Sequence, residues 1–522
     1  MATLAILGML TGTAIAHDGS SGEPAAQAAV EQTIGRIAQL LDAQDLAAAK
    51  AATDEGLRAY PSSAALHNFA GVIDAQQGAF TSAESHFQTA IKLAPRSPGA
   101  YENLGRLYQE RSGVDPEARG KALRIYQALV AIDPTSTEGL YQLAFLQALA
   151  GQFAESRAIV HRLPPDVRAR PQALAVLVAD LAGQQDPEAA DTAATLESHP
   201  ELTAADVLAV LPAFDRVKDD AVPRRLLEAL DRRGMATPDV LQSLGRLHAR
   251  HGRFTESRAT LERAATSGVT VPLLMDLARA AFKSGDREGA LGYLAHARSL
   301  EPGNAGVHFM FGIICVEMNL GAEAYESLKK AVALEPESPQ INYMMGAVSI
   351  HRHEPAEAIP YFEKYLALSP GDPRGRFALG AARFYAGQFD QARTDLQAVA
   401  SGEETAAGAH YFLARIARQA NDLENARREV DAALQVYPKY ADAWAELGLI
   451  QIRKFQYTEA EQSLGKALAI DPNNYVANVN LATLYSRTKD PRRDAQAARL
   501  QALQEKRAIQ AQEFLRIIGV EP

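Results

Sequence analysis

Five prolines in the C-terminal half stand at a fixed interval. Pro302, Pro336 and Pro370 are 34 residues apart, Pro438 follows after 68, and Pro472 after a further 34. Small residues keep the same step. Gly312, Gly346, Gly380, Ala414, Gly448 and Ala482 form one series; Ala290, Ala324, Ala358, Ala392, Ala426 and Ala460 form a second. A third passes through Ala264, Ala297, Ala331, Tyr365, Val399, Ala433 and Ala467. A recurrence of this length marks a stack of small supersecondary units, each contacting its neighbours, rather than one closed core.

One unit can be read from Ala441 to Asn474. Trp444, Leu447, Gly448 and Gln451 share one face at helical spacing and predict a first helix. Phe455 to Tyr457 mark a turn. Glu459 to Ile470 predict a second helix with Ala460, Leu464, Ala467 and Leu468 inward, stopped by Asp471-Pro472 because proline cannot continue a helix. Gly448, Ala460 and Ala467 fall where the two helices cross closely. A larger side chain there would push them apart. The pattern W-x2-L-G-x2-(bulky)…A-x3-(apolar)-x2-A-x4-P over Trp444 to Pro472 resembles the tetratricopeptide repeat. It fits, in register, units starting at Ala64, Pro98, Thr137, Pro238, Val271, Ala305, Pro339, Pro373, Ala407, Ala441 and Tyr475. The resemblance implies an all-α solenoid, a right-handed superhelix of antiparallel helix pairs.

Two departures divide the chain. About five extra residues around Arg111 to Val114 lengthen the turn of the unit from Pro98, after which Asp115-Pro116 is placed to cap and start the second helix. Between Pro164 and Thr237 the small-residue signature fades, although the spacing allows helix pairs starting near Pro171 and Leu202. The expected organisation is a signal peptide over 1–16, a flexible segment over 17–29, an N-terminal array over 30–163, degenerate repeats and a joint over 164–237, a C-terminal array over 238–490 and a capping helix over 491–522. Apolar positions Leu500, Leu503, Ile509, Phe514 and Ile517 suit that helix for closing the array. The basic cluster Arg487 to Arg493 reads as solvated surface. At the other end, Leu4 to Ala16 is an apolar run closing on Ala14-Ile15-Ala16, followed at once by His17-Asp18. It resembles an export signal cleaved after Ala16, although no Lys or Arg precedes it; an apolar N-terminal helix is the alternative. The expected location is accordingly periplasmic or secreted, with the cytoplasm as the alternative. No later segment is apolar for the ~18 residues that a membrane helix needs.

The 63 acidic residues outnumber the 53 basic ones, a net charge of −10 that disfavours a nucleic-acid partner. The only cysteine is Cys315, so neither an internal disulfide nor a thiolate zinc cluster is available. It lies at an inward position of a first helix and reads as a buried thiol. Motifs for nucleotide, metalloprotease and serine-hydrolase chemistry are missing. Gly113 to Lys121 approaches a phosphate loop, but its spacing is wrong and Ala122 stands where a magnesium-binding hydroxyl belongs. His248 with His251, and His351 with His353, lack carboxylates at metal-site spacing. Catalytic residues, cofactor sites and metal sites are therefore all expected to be none.

In tetratricopeptide arrays, repeat positions 2, 5, 9, 12 and 13 of the first helices line a concave groove. In this chain position 5 holds Phe309, Tyr343, Phe377 and Tyr411 in four successive units. Phe384, Tyr385, Ile313, Ile350 and Phe412 lie near them in sequence. Arg279, Lys283, Arg374, Arg415, Arg418 and Arg453 bring cations to groove positions. Aromatic residues beside arginines are the types found at binding hot spots. Phe309, Tyr343, Phe377 and Tyr411, flanked by Arg374 and Arg415, are thus the candidate peptide groove, a stripe about 30 Å long at helix-packing distances; the alternative is that these rings pack between repeats. The carboxylate clamp of chaperone-binding relatives is not legible, since Asn68, Phe69, Val72, Phe309, Met310 and Ile313 hold its places. Nor is the asparagine ladder of glycosyltransferase arrays, where Met310, Met344, Ala378 and Phe412 stand. The expected function is a non-enzymatic scaffold holding a protein or extended peptide. Two rivals remain: an assembly factor of an envelope, secretion or polysaccharide-export machine that bridges subunits along its convex face, and an enzyme with an unrecognised site in the degenerate middle.

Overall fold

The computed structural model describes residues 24–217 and 220–505. The run over 1–16 expected to be a signal peptide and the apolar positions Ile509, Phe514 and Ile517 of the expected capping helix lie outside these. The described residues form 29 α-helices and one short 3-10 helix, with no strand among them. They divide into two compact units at Arg250/His251. Within each unit consecutive helices pair across short turns and the pairs stack in chain order, which is the solenoid architecture expected from the period.

In the first unit the pairs begin with Pro24–Asp42 and Leu46–Ala59. That first helix takes in residues 24–29, which were expected to be flexible; Pro24 is pre-set for a helix start and the alanines after it are the best helix formers. Ala64–Gln76 pairs with Phe80–Leu93, Pro98–Glu110 with Ala118–Ile132, and Thr137–Ala150 with Phe153–Val160. The extra residues after Pro98 form the 3-10 turn Arg111–Gly113. The following helix starts at Ala118, later than Asp115-Pro116 suggested, because Asp115 Oδ1 accepts the Glu117 N–H at 2.9 Å and closes a turn first. The middle forms two more pairs, Pro171–Gly183 with Glu188–Glu197 and Ala204–Phe214 with Ala221–Arg232, ahead of Pro238–Arg250. Its Ala173, Val176, Leu196, Val207, Phe214 and Leu226 belong to the same buried cluster as Leu104 and Leu143.

The second unit opens with Phe254–Ala265 and continues through first helices at Val271, Ala305, Pro339, Pro373, Ala406, Ala441 and Tyr475. All but Ala406 start at the residue expected, and Ala406 starts one residue early. Crossings are as tight as the small-residue series implies. A Cβ at Gly448 would lie 2.6 Å from Leu464 Cγ, and one at Gly346 would lie 2.8 Å from Phe362 Cζ. Ala290, Ala324, Ala358, Ala392, Ala426 and Ala460 have no exposed surface. Gly285, Asn319, His353, Gly387, Asn421, Phe455 and Lys489, 34 residues apart, all take positive φ where first helix turns into second. A further device repeats at the fourth position of the first helix. His308, Asn342, Trp444 and Asn478 face the carbonyls of Pro302, Pro336, Pro438 and Pro472, six residues back, at 2.9, 2.9, 2.9 and 3.3 Å. These side chains tie each inter-repeat turn to the helix that follows it.

The helix Arg493–Glu505 lies against Tyr475–Thr488. Leu500 and Leu503 are half-buried there, and the most buried side chain is polar. Gln496 Nε2 donates to the Asn478 backbone carbonyl at 3.1 Å and to Asn478 Oδ1 at 2.9 Å, while Arg499 Nη2 donates to the Pro472 carbonyl at 2.6 Å. In the basic cluster, Arg492 is taken up by Asp490 and Glu461, each at 2.7 Å, and lies over the Tyr485 ring.

Candidate interaction groove

The four position-5 rings occupy equivalent places on successive first helices, but they do not make an open stripe. Phe309 and Tyr343 are half-buried, whereas Phe377 and Tyr411 are only 3% and 7% exposed. Tyr343 packs on Tyr365 and Phe362, with centroids 5.0 and 5.5 Å away. Phe309 packs against the Ala305, Ala331 and Ile341 cluster. Phe377 lies against Phe412 at 5.9 Å and so close to the next first helix that a Cβ on Gly408 would meet it at 2.7 Å. Tyr411 meets Tyr440, at the start of the following repeat, at 5.2 Å. Phe377 fills the space left by Gly408 near the start of the next first helix and Tyr411 abuts Tyr440, so these two rings seal one repeat to another.

The two flanking arginines have different surroundings. Arg374 is held by Asp372, with Nη2 to Oδ2 at 2.7 Å, and Tyr365 donates to the same carboxylate. The Arg374 guanidinium holds the Asp372 carboxyl down at about 2. Arg418 pairs with the buried Glu446, and Arg279 lies 3.7 Å from Asp276. Arg453 donates to the Arg418 carbonyl. Arg415 instead lies among rings, 4.5 Å from the centroid of Phe384, 5.4 Å from Tyr411 and 5.6 Å from both Tyr385 and Phe412. Tyr385 is 44% exposed and brings this cluster to the surface. Tyr440 has a buried hydroxyl without a hydrogen-bond partner among the described residues, and burial holds its phenol well above the ordinary value.

The reactive residues considered in the sequence have structural surroundings. Cys315 is buried, and burial pushes its thiol up to about 11, far from a thiolate nucleophile. Burial also lowers the pKa of His351. Among the described residues no group of three or more His, Cys, Asp or Glu side chains is arranged to hold a metal. In the middle, Asp180 is fully buried, Ser156 Oγ lies 2.7 Å from its Oδ2, and burial raises its carboxyl to about 8. Sequence reasoning missed Tyr440 and the fourth-position donors. A donor six residues after each turn proline was the available signal for the latter; the Tyr440 site depends on contact between repeats and left no local mark.

Models of the tetratricopeptide repeat match residues 39–101, 242–305, 309–373, 377–435 and 413–475, and a second such model matches 116–181. The chain belongs to the tetratricopeptide repeat family. Several solved structures are similar to it at low identity. A chain of the APC/C hetero-tetramer Cut9–Hcn1 is 15% identical over 93% of this chain and 95% of its own, with a TM-score of 0.43. A tetratricopeptide repeat protein from Parabacteroides merdae is 16% identical over 47% of this chain and 98% of its own, at 0.41. Yeast Tom70 is 18% identical over 87% and 95%, at 0.37. No curated protein matches the chain significantly. Tetratricopeptide repeats bind protein partners, so the general role of this chain is that of a protein-interaction scaffold. No helix among the described residues is long and apolar enough to cross a membrane.

Proposed function

We propose that this tetratricopeptide chain is a non-enzymatic scaffold that holds a protein or an extended peptide along the first helices of its C-terminal repeats. One observation carries the reading: on that face the half-buried Phe309 and Tyr343 lead to a surface cluster of Tyr385 and Arg415, the residue types that dominate interface energies. Bridging of subunits along the second helices is the competing arrangement. A cleft lined by Tyr325, Pro336, Glu357, Tyr361 and Lys364 favours it. Photo-crosslinking of the full chain in its host separates the two. A crosslinking side chain at Tyr385 captures the partner if the groove is used; capture only from Tyr325 overturns the groove. The apolar run ending at Ala16 supports export and cleavage, and protein recovered from its host that begins at Met1 or Ala2 would reject it.

A further inference from the structure

We infer that Arg415, Tyr385 and Tyr440 form a recognition site for a carboxylate on the bound segment, an inference that rests on the groove reading above. Arg415 extends from the helix Ala406–Gln419 into four aromatic rings, whose centroids stand 4.5 to 5.6 Å from its guanidinium carbon. Stacking satisfies the faces of a guanidinium and leaves its five edge N–H donors to be met in the plane. Among the described residues no carboxylate pairs with it, and its nearest hydrogen-bonding contact is Tyr385 Oη at 3.5 Å. Neighbouring guanidiniums differ: Arg374 has Asp372, Arg383 has Asp395 and Glu363, and Arg418 has Glu446. Arg415 is thus a desolvated cation that feels the charge of Glu446 but has no carboxylate within hydrogen-bonding reach among the described residues.

A second observation comes from the next repeat. The Tyr440 ring packs on Tyr411, and its hydroxyl is buried with no hydrogen-bond partner among the described residues. Because burial raises its pKa, it stays protonated and remains a donor. A buried hydroxyl is seldom left unmade, since each such group costs about 1–3 kcal/mol. A guanidinium edge and a phenol together suit the planar, two-oxygen acceptor of a carboxylate. The acids nearby are engaged, Asp442 accepting from Asn474 Nδ2 at 2.6 Å and Glu446 held by Arg418. Their negative charge disfavours a dianionic phosphate and leaves a singly charged group as the better match.

The carboxylate has two sources, an acidic side chain within an extended segment or a chain terminus. Three fluorescein-labelled serine/glutamine peptides of about ten residues, long enough to cross three repeats at ~3.3 Å per residue, separate them by anisotropy with the full chain. One carries internal glutamates and an amidated end, one carries only a free terminal carboxylate, and one is neutral and amidated. One of the two acidic peptides should bind about tenfold tighter than the neutral one. Arg415→Met should weaken that binding about thirtyfold, as loss of one partner of a desolvated charge pair does, and Tyr440→Phe should weaken it several-fold with folding intact by circular dichroism. On the unmodified chain, the favoured peptide should protect Arg415 from phenylglyoxal, a readout independent of any variant. Equal binding of all three peptides, no binding of any, or unchanged binding in Arg415→Met overturns the carboxylate site. The Tyr385 crosslink to the natural partner then decides separately whether the groove reading survives.

Discussion

The repeats over 305–470 and those over 171–232 reach one architecture by different means. In the former the tight crossing falls at the eighth position of four of the five first helices, where Gly312, Gly346, Gly380 and Gly448 admit Leu328, Phe362, Leu396 and Leu464. In the latter the eighth residue of the helix Pro171–Gly183 is Val178, itself fully buried. The close approach moves to Gly183, where a Cβ would lie 2.3 Å from Phe153 of the preceding pair. Second-helix length does not separate the regions: Glu188–Glu197 has 10 residues and Ala221–Arg232 has 12, while the regular repeats range from the 14 of Gly321–Leu334 to the 9 of Phe389–Gln397. Stacking requires that helices approach closely somewhere; the position of the small residue is free to move.

If the two regions are equally well packed, removing a buried ring should cost the same in each. Phe362 is fully buried and Phe214 is 2% exposed. Phe362→Ala should lose about 3–5 kcal/mol of unfolding free energy in denaturant titrations, and Phe214→Ala should fall at the lower end of that range. Equal losses would erase the energetic half of the comparison and leave only the difference in sequence.

The buried carboxyls of the two regions differ in kind. Asp395, in the regular repeats, pairs with Arg383 and Arg376. Among the described residues Asp180 has no cation at hydrogen-bonding distance. Ser156 has one hydroxyl proton and lies 2.8 Å from the Ala144 carbonyl, so the 2.7 Å contact to Asp180 is met when the carboxyl supplies its own proton. Its folded pKa of about 8 stands above the ordinary 3.8. Between those values the unfolded chain releases this proton and the folded chain keeps it, so stability falls as pH rises. Asp180→Asn keeps a donor toward Ser156 and removes the titration. From pH 5 to pH 7 the variant should gain on the parent by on the order of 2 kcal/mol, within the limit of ~1.4 kcal/mol per pH unit for one group. A constant difference across that range would show Asp180 ionised in the folded state.

The regular repeats were legible because their constraint is local and periodic. A small residue, Gly or Ala, recurs at the crossing in every unit, as where Gly448 admits Leu464 and Gly346 admits Phe362, and most units carry the turn proline with it. The middle was legible only as helices, since its tight contact joins Gly183 to Phe153 across pairs and no single-unit pattern contains both. The candidate groove divides the same way. Position 5 was found from spacing, but whether its ring faces solvent depends on the next helix, and Gly408 and Tyr440 turn Phe377 and Tyr411 into seals. Arg374 and Arg415 both flank the aromatic series in sequence, and the difference between them is Asp372, which holds Arg374.

Hydrogen exchange resolves the two regions directly. Amides over 171–232 should exchange about tenfold faster than those over 305–470, an opening free energy lower by ~1.4 kcal/mol. The displaced crossing is the cause. Equal protection would show that Val178 and its neighbours pack as firmly as the glycine crossings do.

The turns are the feature in which the two regions agree. Gln185 in the middle and Phe455 in the regular repeats both join first helix to second with positive φ, at 56° and 61°. A side chain in that conformation costs about 1–2 kcal/mol relative to glycine, while glycine returns about 0.5–1 kcal/mol of that through the greater freedom of the unfolded chain. The net gain for Gln185→Gly and for Phe455→Gly should therefore be about 0.5–1 kcal/mol each, read from the shift of the denaturation midpoint. Phe455 is 74% exposed, so its removal sacrifices little packing. Equal gains at both sites would show that one turn serves both regions and that their difference lies in the crossings alone. A gain at Phe455 with a loss at Gln185 would place part of the difference in the turn, with the middle depending on a side chain there that the regular repeats do not need.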